Sequence, residues 1–269
     1  MGKLSDAGDF LAQLEQLARE AKASLAPAPD LAPPTVPVRR PDVPASATSA
    51  EEHRSRMRHK LLSAGPDALA DHEMLEMVLF LALPRKDTKP VAYRLLDRFG
   101  SFANAIAAPA RDIATVDGMG EASAAALKIV HAAAVRLARA EVMRLPVLTN
   151  WDALLHYLQA AMARERTEQF RVLFLDNRNR LLADEVQGKG TVNHTPVYPR
   201  EVLKRALELG STAIVLVHNH PSGDPSPSQD DIVMTRNIHQ AVQPLGIVLH
   251  DHVIVGNGRW TSFRREGLL

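Results

Sequence analysis

The residues best suited to chemistry lie in one stretch, 217–231, which reads V-H-N-H-P-S-G-D-P-S-P-S-Q-D-D. His218 and His220 stand one residue apart, behind an apolar run at 212–217 (T-A-I-V-L-V). That run predicts a buried strand with the histidines at its C-terminal end. Residues i and i+2 of a strand point to one face, so both imidazoles project the same way. Pro221, Gly223, Pro225 and Pro227 then exclude helix and strand. A helix restarts near Ser228, with Asp231 in its first turn. Two imidazoles and a carboxylate brought together suit a divalent zinc ion, one per chain, with one position open for water. The same residues also carry a bland reading. Ser228 and Asp231 have capping-box spacing, with Asp in place of Glu or Gln, so Ser228 could be an N-cap and Asp231 a partner of the helix dipole.

Composition narrows the chemistry. The chain has 269 residues, enough for a sizeable core and more than one domain. It has no cysteine, so disulfides and thiolate ligands are excluded and a metal site must use nitrogen and oxygen. Hydrophobic residues make up 46% and charged residues 23%, with a formal net charge of +1, which gives no global field for nucleic acid. Any DNA contact must rest on local features. We read no signal peptide and no apolar run long enough to span a bilayer, so the expected location is cytoplasmic, with no membrane partner.

The elements that must position the site divide the chain in three. Residues 1–50 are a segment with helical spacing over 4–24 (Phe10, Leu14, Leu17), followed by a linker rich in Pro, Ala, Ser and Thr that cannot offset its ordering entropy. Residues 51–141 predict an all-α domain. A basic run at 53–60 opens it and reads as a solvated face in preference to a phosphate patch. The most apolar helix covers 71–83, and a further helix begins at a Thr88 cap. At 112–130 the pattern resembles a helix-hairpin-helix element. Gly118, Met119 and Gly120 allow a tight turn, and backbone N–H groups at the next helix start could bind a DNA phosphate without reading sequence. Glu121 would repel that phosphate.

Residues 146–269 predict an α/β domain. Asn150 caps a helix over 151–162, strands cover 170–175 and 181–186 around a hairpin loop, and Gly188 and Gly190 loosen the next segment. A helix runs from 198 to about 209, with Pro199 suited to its first turn. After the histidine strand come a helix over 229–241 and strands at 247–255 and 260–263. Interleaved strands and helices with one hairpin predict a mixed α/β sandwich. His194, His250 and His252 read as structural. Asp224 and Asp230 lie near the ligands in sequence but are not assigned as ligands.

His218-Asn219-His220, then Ser228 and Asp231, match H-x-H-x(7)-S-x-x-D, the pattern of JAMM (MPN-plus) metalloproteases. The wording V-H-N-H-P-S-G-D-P-x-P-S more particularly resembles the bacterial RadC family, and the helical layout of 51–141 is similar to that family's N-terminal region. The resemblance implies a JAMM domain related to cytidine deaminases. It assigns His218, His220 and Asp231 as ligands. It also maps the family's E-x-F onto Glu168-Gln169-Phe170, making Glu168 the general acid/base in preference to Glu165, with Ser228 an oxyanion donor. The implied activity is metal-dependent hydrolysis of a peptide or isopeptide amide in a protein or peptide substrate. The competing expectation is a non-enzymatic, DNA-associated repair factor that uses the hairpin and holds a structural metal.

Overall fold

The computed structural model describes residues 49–190 and 197–269. The predicted helix over 4–24, the linker up to residue 48 and His194 lie outside the described residues. Ser49–Leu269 forms one compact unit, helical in its first half and α/β in its second.

The helical half contains α1 (Ser49–Ala64), α2 (Asp71–Ala82), α3 (Lys89–Phe99), α4 (Phe102–Ala107), α5 (Ala110–Ala114) and α6 (Glu121–Arg144). Leu75, Leu79, Val91, Leu95, Ile113 and Leu127 close its core. Several charged residues of the basic run have internal partners. His53 bonds Glu76 (2.7 Å), Arg54 donates to the Leu83 and Lys86 carbonyls, and Lys60 pairs with Glu73. Thr88 occupies the N-cap position of α3 but makes no capping bond. Its hydroxyl is buried without a partner, and Asp87 accepts from the Lys89 N–H instead. The predicted Thr88 cap is therefore corrected: Thr88 has helical backbone angles (φ −93°, ψ −12°) in place of a cap's extended ones, and the N2 position is Pro90, which has no N–H to give.

The α/β half contains α7 (Trp151–Met162), β1 (Gln169–Leu175), β2 (Leu181–Lys189), α8 (Pro199–Glu208), β3 (Ala213–Asn219), α9 (Gln229–Val242), β4 (Val248–Val255) and β5 (Trp260–Ser262). The sheet runs in the order β2-β1-β3-β4-β5, antiparallel except for the β3–β4 pair. Alternation along the strands builds two cores. Leu173, Leu175, Val215, Val217, Val253 and Val255 pack on α7 and the end of α6. Phe170, Val172, Phe174, Ile214 and Leu216 pack on α8 and α9. Gly188 is not a loosening point: it pairs with Phe170 inside β2, beside a register shift between Phe170 and Arg171. Asn150 stands at the N-cap of α7 but does not accept from a helix N–H; its Nδ2 donates to the Glu141 carbonyl at 3.1 Å, tying α7 to the end of α6. Arg164 donates to Asn104 (2.8 Å) and Arg166 pairs with Asp112, so the helical half is held beside the segment leading into β1.

Candidate metal centre

β3, the central strand, carries Val217, His218 and Asn219 at its C-terminal end, and His220 is the first residue beyond it. His218 is 1% exposed and sits on the face that packs on α9, stacked against Phe170 with ring centroids 6.2 Å apart. The loop after His220 is set by close approach. A Cβ on Gly256 would stand 2.3 Å from the Gly223 carbonyl oxygen, so only glycine lets the loop seat against the end of β4. That seating returns the chain to Ser228, the N-cap of α9, and places Asp231 over the histidines.

The three side chains converge. His218 Nε2 lies 2.9 Å from His220 Nε2 and 3.2 Å from Asp231 Oδ1, while His220 Nε2 lies 3.7 Å from Asp231 Oδ2. One ligand atom from each falls within 4.8 Å of the others. His220 Nδ1 lies 2.8 Å from the Asp224 carbonyl oxygen, which can only accept. The proton of neutral His220 therefore sits on Nδ1, and its Nε2 presents a lone pair to the cluster. A carboxylate and imidazole lone pairs aimed at one point repel unless a cation stands between them, so this donor set fits a divalent ion of nitrogen/oxygen preference.

The electrostatics agree. Burial pushes the His218 imidazole down to about 4, with Asp231 opposing and His220 assisting, so its ring is neutral at pH 7. The Asp231 carboxylate beside it is the main cause that raises His220 above the ordinary histidine value, and Glu168 adds to it. Burial pushes the Asp231 carboxyl up, but His220, His218 and Ser228 overcome it and hold it well below the usual carboxylate range.

Of the predicted site residues, His218, His220 and Asp231 come together. Ser228 is the N-cap: its hydroxyl accepts from the Asp231 N–H (3.2 Å) and donates to Asp231 Oδ2 (2.6 Å), and its own N–H donates to the same oxygen (2.7 Å). The capping box and the ligand are thus one structure, with Asp231 filling both roles. Glu168 immediately precedes β1. Phe170 pairs with His218, and Glu168, two residues before it, is near enough to His220 to act on that ring through its charge. Glu168 is half-buried, and its carbonyl accepts from Gly190 N–H at 3.0 Å. The Asn219 side chain locks this entry: its Oδ1 accepts from Gln169 N–H (2.9 Å) and its Nδ2 donates to the Thr167 carbonyl (3.2 Å).

The hairpin residues stand apart from this cluster. Gly118 has φ +84° and a Cβ there would meet Val91 at 2.9 Å, so glycine is needed for packing against α3. Met119 packs on the helical core, and the N–H groups of Met119 and Gly120 are bonded to Val116 O and Ser123 Oγ. Two backbone donors that a phosphate would use are therefore occupied within the turn.

Sequence reasoning missed His252. Its register opposite Leu216 on β4 puts it beside His218, whose Nδ1 lies 2.8 Å from His252 Nε2. His250 turns elsewhere, to Asn179 Oδ1 at 2.7 Å, because the register shifts between Ile214 and Val215. The H-x-H spacing at 250–252 was the available signal, but it reads as a pair only if no bulge intervenes.

The comparisons with known proteins bear on this geometry. Residues 148–268 match the RadC-like JAB domain. A UPF0758 protein of Rhodobacter capsulatus is 60% identical over 213 residues, covering 79% of this chain and 100% of the relative. Another UPF0758 protein, of Ruegeria pomeroyi, is 55% identical over 218 residues, covering 81% of this chain and 97% of the relative. The metal-capable triad, the five-stranded sheet that carries it and these matches place the chain in the UPF0758 family of RadC-like proteins, with a C-terminal JAB domain of the JAMM type.

Proposed function

We propose that the protein is a zinc-dependent metallohydrolase that cleaves a peptide or isopeptide amide bond. The observation that carries this reading is the three-donor cluster of His218, His220 and Asp231, with Glu168 near enough to act on the His220 ring through its charge. A purely structural zinc takes four protein ligands, whereas three leave room for water. A zinc ion held there would supply a Lewis acid that lowers the pKa of water toward about 7. Glu168 takes the proton of the attacking water and returns it to the leaving amine nitrogen. The Ser228 hydroxyl, released from Asp231, donates to the carbonyl oxygen as that oxygen gains charge. A cleft of about 260 Å³, lined by Asn104, Arg164, Arg166, Pro221, Gly223 and Asn257, lies beside the histidine loop and offers an extended chain a place to lie. Among the described residues, no helix is long and apolar enough to cross a membrane.

The test is cleavage of a peptide library by the full chain. We expect fragments from the zinc-loaded protein, none after chelation, and recovery on adding zinc back; cleavage that survives chelation would contradict the proposal.

Ser228 separates its two roles through two substitutions. Ser228→Ala removes the cap and the donor, so we expect a stability loss of about 1 kcal/mol and a rate loss of roughly 10²–10³-fold. Ser228→Gly caps almost as well as serine, to within a few tenths of a kcal/mol, so it should restore thermal stability and leave the rate low. Full activity in the Gly variant would leave Ser228 as a cap alone.

A further inference from the structure

We infer that Thr235 and His252 are positioning residues for the metal site: they form a one-way hydrogen-bond relay that fixes His218 with its proton on Nδ1 and its Nε2 lone pair facing the metal. The inference rests on the metal-binding reading above and adds residues that the family motif does not contain.

The direction of the relay is set by donor counting. Thr235 Oγ lies 2.6 Å from the Asp231 carbonyl oxygen and 2.6 Å from His252 Nδ1. A carbonyl only accepts, so the single hydroxyl proton points at Asp231. Thr235 Oγ then has only lone pairs for His252, and His252 Nδ1 must carry the proton. His252 Nε2 becomes an acceptor, and His218 Nδ1, 2.8 Å away, must donate to it. The proton of His218 is thereby consumed on the side away from the cluster. Its Nε2 is left as a lone pair, 2.9 Å from His220 Nε2 and 3.2 Å from Asp231 Oδ1. The relay begins at the peptide carbonyl of one ligand and ends at the ring of another, so α9 and β3 fix each other's donors across β4.

The surroundings permit no easy substitute. His218, His252 and Thr235 are 1%, 0% and 1% exposed. Phe170 packs edge-on to His252 at 5.8 Å and Phe263 lies against its other side at 4.5 Å. Water has little access to supply a replacement bond, and burial outweighs the nearby Asp231 carboxylate in keeping both rings neutral. Outer partners of this kind set ligand tautomers, and losing them typically costs about 10–100-fold in metal affinity.

The relay can be tested in two parts. Histidine ¹⁵N NMR of the metal-free full chain reports tautomers without any metal. We expect His218 and His252 both to be protonated on Nδ1 in the wild type; a wild-type His218 protonated on Nε2 would overturn the relay at once, with no variant needed. Thr235→Val keeps the shape and removes the acceptor. His252 is then free to move its proton to Nε2, which pushes His218 to the tautomer that blocks the metal. We expect mixed His218 tautomers and zinc affinity, measured by competition with a chromogenic chelator, reduced by about 10–100-fold, with Thr235→Ser restoring both. His252→Gln, whose amide can donate to Thr235 and accept from His218, should retain more affinity than His252→Leu. Unchanged tautomers and affinity in Thr235→Val would refute the relay and leave the metal site standing. Predicted tautomers in a wild type that binds no zinc would instead support the relay and refute the metal reading.

Discussion

Glu168→Gln is expected to bind zinc as well as the wild type and to lose about 10²–10⁴-fold of its hydrolytic rate, the usual contribution of a positioned general acid–base. The substitution keeps the side chain's size and its capacity to hydrogen-bond, but an amide oxygen does not accept a proton from water at neutral pH. Glu168 is not one of the converging donors; it immediately precedes β1, and its charge contributes to the raised proton affinity of the His220 ring. Its removal should therefore spare the metal. Peptide-cleavage rates set against metal content decide the matter. Equal activity in the variant would make Glu168 a structural residue, and loss of zinc would make it a fourth ligand, closing the position that water needs.

His220→Ala should empty the site. The substitution removes the ligand whose lone pair is set by the Asp224 carbonyl, and it leaves His218 and Asp231 as two donors against water and buffer. Asp231 also loses its largest favourable partner, since the neighbouring His220 ring is the first of the effects that hold its carboxyl low. We expect zinc in the purified variant to fall from one equivalent to trace, while the fold persists because His220 lies just beyond β3 with 19% of its side chain exposed. Metal analysis after dialysis, with circular dichroism to confirm the fold, makes the comparison. One equivalent of zinc in both proteins would remove His220 from the ligand set.

Much of the site was legible because its parts are close in the chain. Two ligands lie on one strand end and the third lies 11 residues later, in the first turn of the next helix, so alternation, proline punctuation and capping spacing were enough to bring them together. The competing interpretations of Ser228 and Asp231 did not need to exclude each other, because one carboxylate has two oxygens. The sheet was legible where burial is two-sided, as at Val172–Leu216, and less so where a bulge intrudes, as at Gly188. What escaped depends on contacts between distant residues. His252 meets His218 across a parallel pairing 34 residues apart, and Thr235 reaches His252 from a helix on the sheet's face. Neither contact has a local pattern. Thr88 and Asn150 show the reverse failure: the spacing placed them at helix starts, but Thr88 took helical angles ahead of Pro90, which has no N–H to cap, and the Glu141 carbonyl drew the Asn150 side chain away.

The most direct measurement is anomalous diffraction at the zinc absorption edge from crystals of the zinc-loaded full chain. We expect a single peak within about 2.0–2.2 Å of His218 Nε2, His220 Nε2 and an Asp231 carboxylate oxygen, with the Glu168 carboxylate one water molecule further out. A peak elsewhere, or one with Glu168 bound as a fourth protein ligand, would contradict the assignment of this centre as a hydrolytic site.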